Sequence, residues 1–232
     1  MNQPQDKTCE VHLWKYCLLD SVPAISMDWF SPEEKEAIGK RSSYDQRMQF
    51  IRVHAFLKKV VERYTRQPPE QIHLENGLNG KPIIKCDHFH PPFYFSLSYR
   101  NDYSLLAISN ESCIGVDVEE IEEIDDFFPF LLDNFAQSEQ RIILAEDSEQ
   151  QQLSVLYALW TMKEAVVKSL AIGLPRKLNK YDLSYFLDEA IGLQKFDPSH
   201  FWRIELIPMA KNYKAAMALR ASDVNVKTFE YK

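Results

Sequence analysis

Three strand-like runs follow one another with no room for a helix between them: 93–99 (FYFSLSY), 103–110 (YSLLAISN) and 113–121 (CIGVDVEEI). All are rich in β-branched and aromatic residues. Arg100-Asn101-Asp102 reads as a tight hairpin turn, and the second gap is shorter still. A parallel return needs a crossover of about a dozen residues or more, so the stretch reads as an antiparallel meander. Helices flank it. Ser31-Pro32-Glu33-Glu34 is a helix start, with Ser as N-cap, Pro at the first position and acids in the first turn. A second helix is expected over about 45–65, where Phe50, Val53, Leu57, Val60 and Val61 recur at helical spacing, and Pro68-Pro69 ends it. The strongest helix is 153–171 (LSVLYALWTMKEAVVKSLA), with Leu159, Met162, Val166 and Leu170 on one apolar face and Trp160, Glu164 and Lys168 on the other side. Gly173 and Pro175 terminate it. A first strand over 11–19 and two more near 201–208 and 213–221 complete a mixed α+β order, with no short-period repeat and no low-complexity linker.

Composition narrows the function classes. The chain has 232 residues, 45% hydrophobic, enough for one large domain or two small, closely packed ones. A net charge of -7 argues against a general nucleic-acid binder. No apolar run approaches the ~18 residues of a membrane span. Met1 to Glu10 is polar and lacks the apolar stretch of a signal peptide. Cys9, Cys17, Cys86 and Cys113 show no CxxC spacing and read as free thiols of a reducing cytoplasm. With 6 Gly, there is no glycine-rich phosphate loop.

Several side chains carry chemistry. Asp117 and Glu119 stand at i and i+2 of a strand, so both carboxylates point to one side. Such neighbours repel unless a cation joins them, and oxygen-only acids suit Mg²⁺. The ordinary alternative is an exposed strand face beside an acidic turn. Six acids crowd Glu119 to Asp126, of which Glu120, Glu122, Glu123, Asp125 and Asp126 read as a solvated connection. Glu164 and Lys168, one helical turn apart, read by themselves as a surface pair, and Trp160 as packing. Lys81, between Gly80 and Pro82, is either a solvated loop lysine or a phosphate contact. From Ser31 to Arg66, nine Lys/Arg face five Asp/Glu, a local excess that attracts a polyanion or merely clothes a helix. Cys86-Asp87-His88-Phe89-His90 fits no closed zinc pattern, and His54 reads as a core or helix-surface residue.

Together these segments resemble the 4′-phosphopantetheinyl transferase superfamily, Sfp-type. IGVDVEEI (114–121) is similar to the family's GxDxE strand and WTMKEAVVK (160–168) to its WxxKExxxK helix. GKP (80–82), FSLSY (95–99) and FAQSE (135–139) are supporting matches, in order, across roughly 30–221. The resemblance implies two similar α/β halves related by a pseudo-twofold, 1–112 and 113–232, with the active site in the cleft between them. The first half would bind coenzyme A and the second would carry the magnesium-binding and catalytic signatures. It implies Mg²⁺ (or Mn²⁺) on Asp117, Glu119 and Glu164, with Lys168 at the reacting phosphate and Lys81 and Ser98 on coenzyme A. Lys40, Arg41 and Arg47 are candidates for the diphosphate and 3′-phosphate. The family's FxxSH motif has His where this chain has Tyr99, and Arg100 is expected to supply the missing charge. The implied reaction moves 4′-phosphopantetheine from coenzyme A to a serine of an apo acyl or peptidyl carrier protein, with Glu119, Glu164 or Glu139 taking the proton. A monomeric cytoplasmic transferase with no nucleic-acid or membrane partner follows from the same resemblance and composition. A Mg²⁺-dependent diphosphate hydrolase and a non-catalytic coenzyme A or carrier binder are the alternatives.

Overall fold

A computed structural model of the chain describes residues 9–20, 24–77, 81–85, 94–110, 114–173, 177–187, 194–197, 202–221 and 223–232. Gly80, the Cys86–His90 stretch, Cys113 and Pro175 lie outside the described residues.

Two four-stranded sheets form the centre. The first joins β1 (Cys9–Cys17), β4 (Tyr94–Arg100), β5 (Tyr103–Ser109) and β10 (Val224–Tyr231) in the order β10-β1-β5-β4. The second joins β6 (Ile114–Glu120), β7 (Gln194–Asp197), β8 (Trp202–Leu206) and β9 (Tyr213–Arg220) in the order β6-β9-β8-β7. A separate hairpin pairs β2 (His73–Asn76) with β3 (Pro82–Lys85). The expected meander is therefore only a hairpin. β4 and β5 pair antiparallel, but β6 leaves them for the other sheet and pairs with β9. Alternation along β6 explains why: Ile114, Val116 and Val118 face a core shared with Val11, Leu13, Leu105 and Ala107 of the first sheet. The sheets meet through side chains there, so β6 needs its hydrogen-bond ladder elsewhere. The last strand, β10, returns to the first sheet and pairs parallel with β1, so residues 224–231 of the sequence's second half complete the sheet of its first.

Helices cover the outer faces. α2 (Tyr44–Thr65) packs Val53, Phe56, Leu57 and Val60 on Trp14, Tyr16, Leu106 and Ile108. α5 (Glu149–Leu170) packs Leu159, Met162 and Val166 on Ile204, Ala216 and Ala218. It starts earlier than the apolar pattern suggests, because the Ser148 side chain caps it by accepting from the Gln151 N–H. It is also buried on more than one face: Thr161, Lys163, Glu164 and Ser169 are buried with the apolar stripe.

The arrangement is duplicated. α1 (Pro32–Gly39) and α2 recur as α4 (Gln137–Leu144) and α5, each with both ends displaced by 105 residues; α3 (Phe127–Asn134) precedes the second copy. A buried ion pair recurs at the same displacement. Lys58, with no exposed side chain, donates to Glu34 Oε2 (2.8 Å) and to the Trp29 and Ile72 carbonyls. Lys163, equally buried, donates to Glu139 (2.7 Å) and to the Leu178 and Tyr181 carbonyls. Each glutamate also accepts the N–H at the start of its short helix, from Ser31 and Ala136. Every proton of both ammonium groups has a partner, which is what allows a charge to be buried.

Gly115 sets how closely α5 approaches β6. A Cβ there would lie 1.9 Å from the Ala165 carbonyl oxygen and 2.6 Å from the Ser169 nitrogen. Gly115→Ala is expected to destabilise the fold by about 1–3 kcal/mol, lowering the melting temperature by about 3–10 °C; an unchanged melting curve would show that the helix does not need this contact. Lys163→Met alone, which leaves the Glu139 charge buried, is expected to cost about 3–5 kcal/mol, and adding Glu139→Leu to recover much of that loss. Denaturant melts of the two single variants and the pair check this.

Candidate active site

The two sheets meet along a seam of serines. β6 turns one edge toward β4, and its backbone N–H groups are met there by hydroxyls: Val116 N–H donates to Ser96 Oγ (3.0 Å) and Val118 N–H to Ser98 Oγ (3.3 Å). Strand alternation on β4 turns Phe95, Leu97 and Tyr99 toward α2 and leaves Ser96 and Ser98 for the seam. On β6 the same alternation turns Gly115, Asp117 and Glu119 toward α5. Because Gly115 lets the helix lie close, Glu164 and Lys168 arrive beside these carboxylates from the helix.

Ser98 and Lys168 converge on Asp117. The Ser98 hydroxyl donates to Asp117 Oδ1 (2.9 Å) and accepts from Lys168 Nζ (2.9 Å), which also donates to Oδ1 (2.7 Å). Asp117 Oδ2 is buried with no hydrogen-bond partner among the described residues. Burial, then the Asp117 charge, pushes Glu119 up to about 7, against the pull of Arg100 and Lys168. Burial and Asp117 likewise push Glu164 up to about 7. Three carboxylates thus share a space whose cations do not fully compensate them. Among the described residues, no three such side chains already close around one point as a metal site. The donor set nonetheless fits a hard divalent cation: oxygen ligands only, one buried oxygen unpartnered, and mutual repulsion that a cation relieves.

The remaining predicted residues divide. Lys81 Nζ donates to the Ile114 carbonyl (3.1 Å) and to the Lys168 carbonyl in the last turn of α5 (3.0 Å), joining the loop to both elements. Lys81, Ser96, Glu164 and Lys168 line a cavity of about 230 Å³. Arg100 does not face that cavity. Its guanidinium spans the seam to Glu122 (2.6 Å) and Glu119 (3.6 Å), while Asn101 donates to Glu120. Tyr99 packs in the apolar cluster under α2. Lys40 is exposed and paired with Glu36, Arg41 donates to the Ala37 carbonyl and stacks on Phe50, and Arg47 donates to the Arg41 carbonyl. Glu139, expected among the proton acceptors, is sealed in its pair with Lys163 at 0% exposure.

A larger cavity, about 1020 Å³, lies between α1, α2 and the β2–β3 hairpin. Ser31, Glu34, Phe50, His54 and His73 are in its wall, and Pro82 belongs to both cavities. Sequence patterning missed this cavity and Ser96, because each depends on which strand edges and helix faces meet.

Residues 113–218 match the profile of the 4′-phosphopantetheinyl transferase superfamily, and residues 21–111 that of the 4′-phosphopantetheinyl transferase N-terminal region. The L-aminoadipate-semialdehyde dehydrogenase-phosphopantetheinyl transferase of Mus musculus is 25% identical over 86% of this chain and 70% of its own length. Its Homo sapiens counterpart is 28% identical over 83% and 67%. The 4′-phosphopantetheinyl transferase HetI of Nostoc sp. is 24% identical over 96% and 92%.

The acids of the cleft make a pH-dependent demand on stability. In the fold Glu164 keeps its proton to about pH 7, whereas in the unfolded chain it releases it near the ordinary 4.5. Between those values the fold binds the extra proton, so this residue's contribution to stability falls as pH rises. With a chelator present, Glu164→Gln is expected to gain stability relative to the parent chain from pH 5 to pH 8, and Mg²⁺ to close the gap by stabilising the parent. A difference that stays constant with pH would contradict the burial of this carboxylate.

Proposed function

The chain belongs to the 4′-phosphopantetheinyl transferase superfamily, and from that premise we propose that it transfers the 4′-phosphopantetheine of coenzyme A to a serine of an apo acyl or peptidyl carrier protein. Adenosine 3′,5′-bisphosphate is the other product. One observation supports the placement of the chemistry above the others: Asp117, Glu119, Glu164 and Lys168, from one strand and one helix, converge on the serine seam beside a cavity.

Asp117, Glu119 and Glu164 would hold Mg²⁺ or Mn²⁺. Such a cation, when bound, neutralises and orients the diphosphate. Lys168 stabilises charge on the departing phosphate oxygen as the bridge from the β-phosphorus to that oxygen breaks. Ser98 fixes the direction of Lys168 by accepting one of its protons. The carrier's serine oxygen forms the new bond to the same phosphorus, and its proton passes to Glu119 or Glu164. Lys81 holds the end of α5 against β6 and presents its charge to the smaller cavity. The nucleotide end of coenzyme A occupies the larger cavity, reached past Pro82.

One chain supplies both sides of the seam, which supports a monomer as the acting form. Cys17 is a free thiol, in keeping with a cytoplasmic protein. Among the described residues no helix is long and apolar enough to cross a membrane, and neither a membrane nor a nucleic-acid partner enters the proposal.

The test is intact mass spectrometry of apo carrier proteins incubated with the chain, coenzyme A and Mg²⁺. A phosphopantetheine mass on a carrier is expected, and its loss by at least about 100-fold in Asp117→Ala, in Lys168→Met and in chelator. Adenosine 3′,5′-bisphosphate without any adduct would make the chain a hydrolase instead.

A further inference from the structure

Building on the proposed cation site, we infer that Arg100 is a positioning residue that competes with the divalent metal for the Glu119 carboxylate, and that Glu122 sets the strength of this competition by drawing the guanidinium away. The pair Arg100–Glu122 thereby tunes how tightly the cleft holds its metal.

Strand geometry puts Arg100 in place. Ser96, Ser98 and Arg100 alternate onto one face of β4, and all three cross the seam to β6. Ser96 meets the Val116 N–H, Ser98 meets Asp117, and Arg100 reaches Glu119. The guanidinium divides its contacts unequally. Nη2 donates to Glu122 Oε2 at 2.6 Å, whereas Nε stands 3.6 Å from Glu119 Oε2, beyond a normal hydrogen bond. Nε is buried and has no hydrogen-bond partner among the described residues. An unspent donor is thus turned toward a proposed metal ligand, while the short contact goes to a carboxylate outside the ligand set. The intervening acid, Glu120, is met by the amides of Asn101 and Asn212.

Two cations on one carboxylate repel each other, so a metal on Glu119 works against Arg100. The guanidinium can yield without losing its short bond, because that bond is already to Glu122. Arg100 and Glu122 have side chains 42% and 47% exposed, so water and salt screen the competition and limit it to a moderate factor. Glu122 acts in the opposite sense to Arg100. It holds the guanidinium at the outer end of the seam, and without it the full charge falls to Glu119.

The test is a Mn²⁺ titration of the full chain without coenzyme A, read from the electron paramagnetic resonance signal of the free ion. The parent is expected to bind Mn²⁺ at a site that Asp117→Asn removes. Arg100→Gln is expected to tighten that site by about fivefold, and Arg100→Lys, which keeps the charge, to stay within about twofold of the parent. Glu122→Gln is expected to weaken it by about threefold, but by less than about twofold in the Arg100→Gln background, where the group it acts through is gone. Melts in chelator and in excess Mg²⁺ give a second reading, with a larger metal-induced rise for Arg100→Gln than for the parent. Unchanged or weaker binding in Arg100→Gln would overturn the inference, since Arg100 would then only tie the hairpin to β6. So would an equal effect of Glu122→Gln in both backgrounds, which would mean that Glu122 acts on the metal directly. Both results would leave the cation site standing. A parent with no Mn²⁺ site that depends on Asp117 would overturn the site itself, and the inference with it.

Discussion

Helix α5 lies close to strand β6 because position 115 carries no side chain, and the cleft depends on that approach. The helix brings Glu164 and Lys168 beside Asp117 and Glu119 only at that distance. The strand in turn is fixed by two different edges. One is an ordinary ladder to β9, and the other is the pair of β4 serines. A serine hydroxyl can accept from a backbone N–H and still donate once, which a backbone carbonyl cannot do. Ser98 uses that extra donor on Asp117, so the contact that closes the seam also orients the acid.

The duplication shows how much of this is frame and how much is chemistry. A displacement of 105 residues carries Asp117, Glu119, Glu164 and Lys168 onto His12, Trp14, Lys59 and Arg63. The equivalent positions in the first half are aromatic and basic. Trp14 stacks on Phe229 of β10 with centroids 4.5 Å apart, and Arg63 lies over Trp14 and Tyr231. The strand that returns from the end of the chain thus covers the face that stays open in the second half. Both copies kept the buried Glu–Lys strut at the head of the short helix, because losing one partner leaves a charge without solvent or counterion. The reactive set had no such constraint and diverged.

The α+β class and the long helices were legible because they follow from periodicity, and α2 ends where the pattern ends. The grouping of the acids was legible as well: i and i+2 on a strand, with a glutamate and lysine one turn apart on a helix, fixes which side each faces. Partnership was not. The third run of the apparent meander is a strand, but a strand pattern names no neighbour, and β6 found β9 about a hundred residues later. β10 was missed because Val224–Tyr231 mixes apolar and charged residues on both faces, as an edge strand does. The direction of Arg100 was illegible too. Its place after Ser98 and Tyr99 suggested a phosphate contact, yet the turn at Asn101, with φ at 42°, carries the hairpin onto the acidic end of β6.

Residue type did not reveal role either, as two lysines on one helix show. Lys163 and Lys168 both pair with a carboxylate at 2.7 Å. Lys163 has no exposed surface and its other protons go to main-chain carbonyls, so it cannot turn toward a substrate. Lys168 is 31% exposed, borders a cavity, and shares its aspartate with a serine that can yield. Glu139 and Glu164 divide the same way: burial pushes both up, but Glu139 is met by three donors whereas Glu164 also bears the repulsion of Asp117. A saturated ion pair is costly to break by halves and does nothing further. A carboxylate left short of partners weakens the fold and is available to a cation, a proton or a phosphate. The chain keeps one of each within a few residues on α5, and the difference between them comes from which groups face the seam.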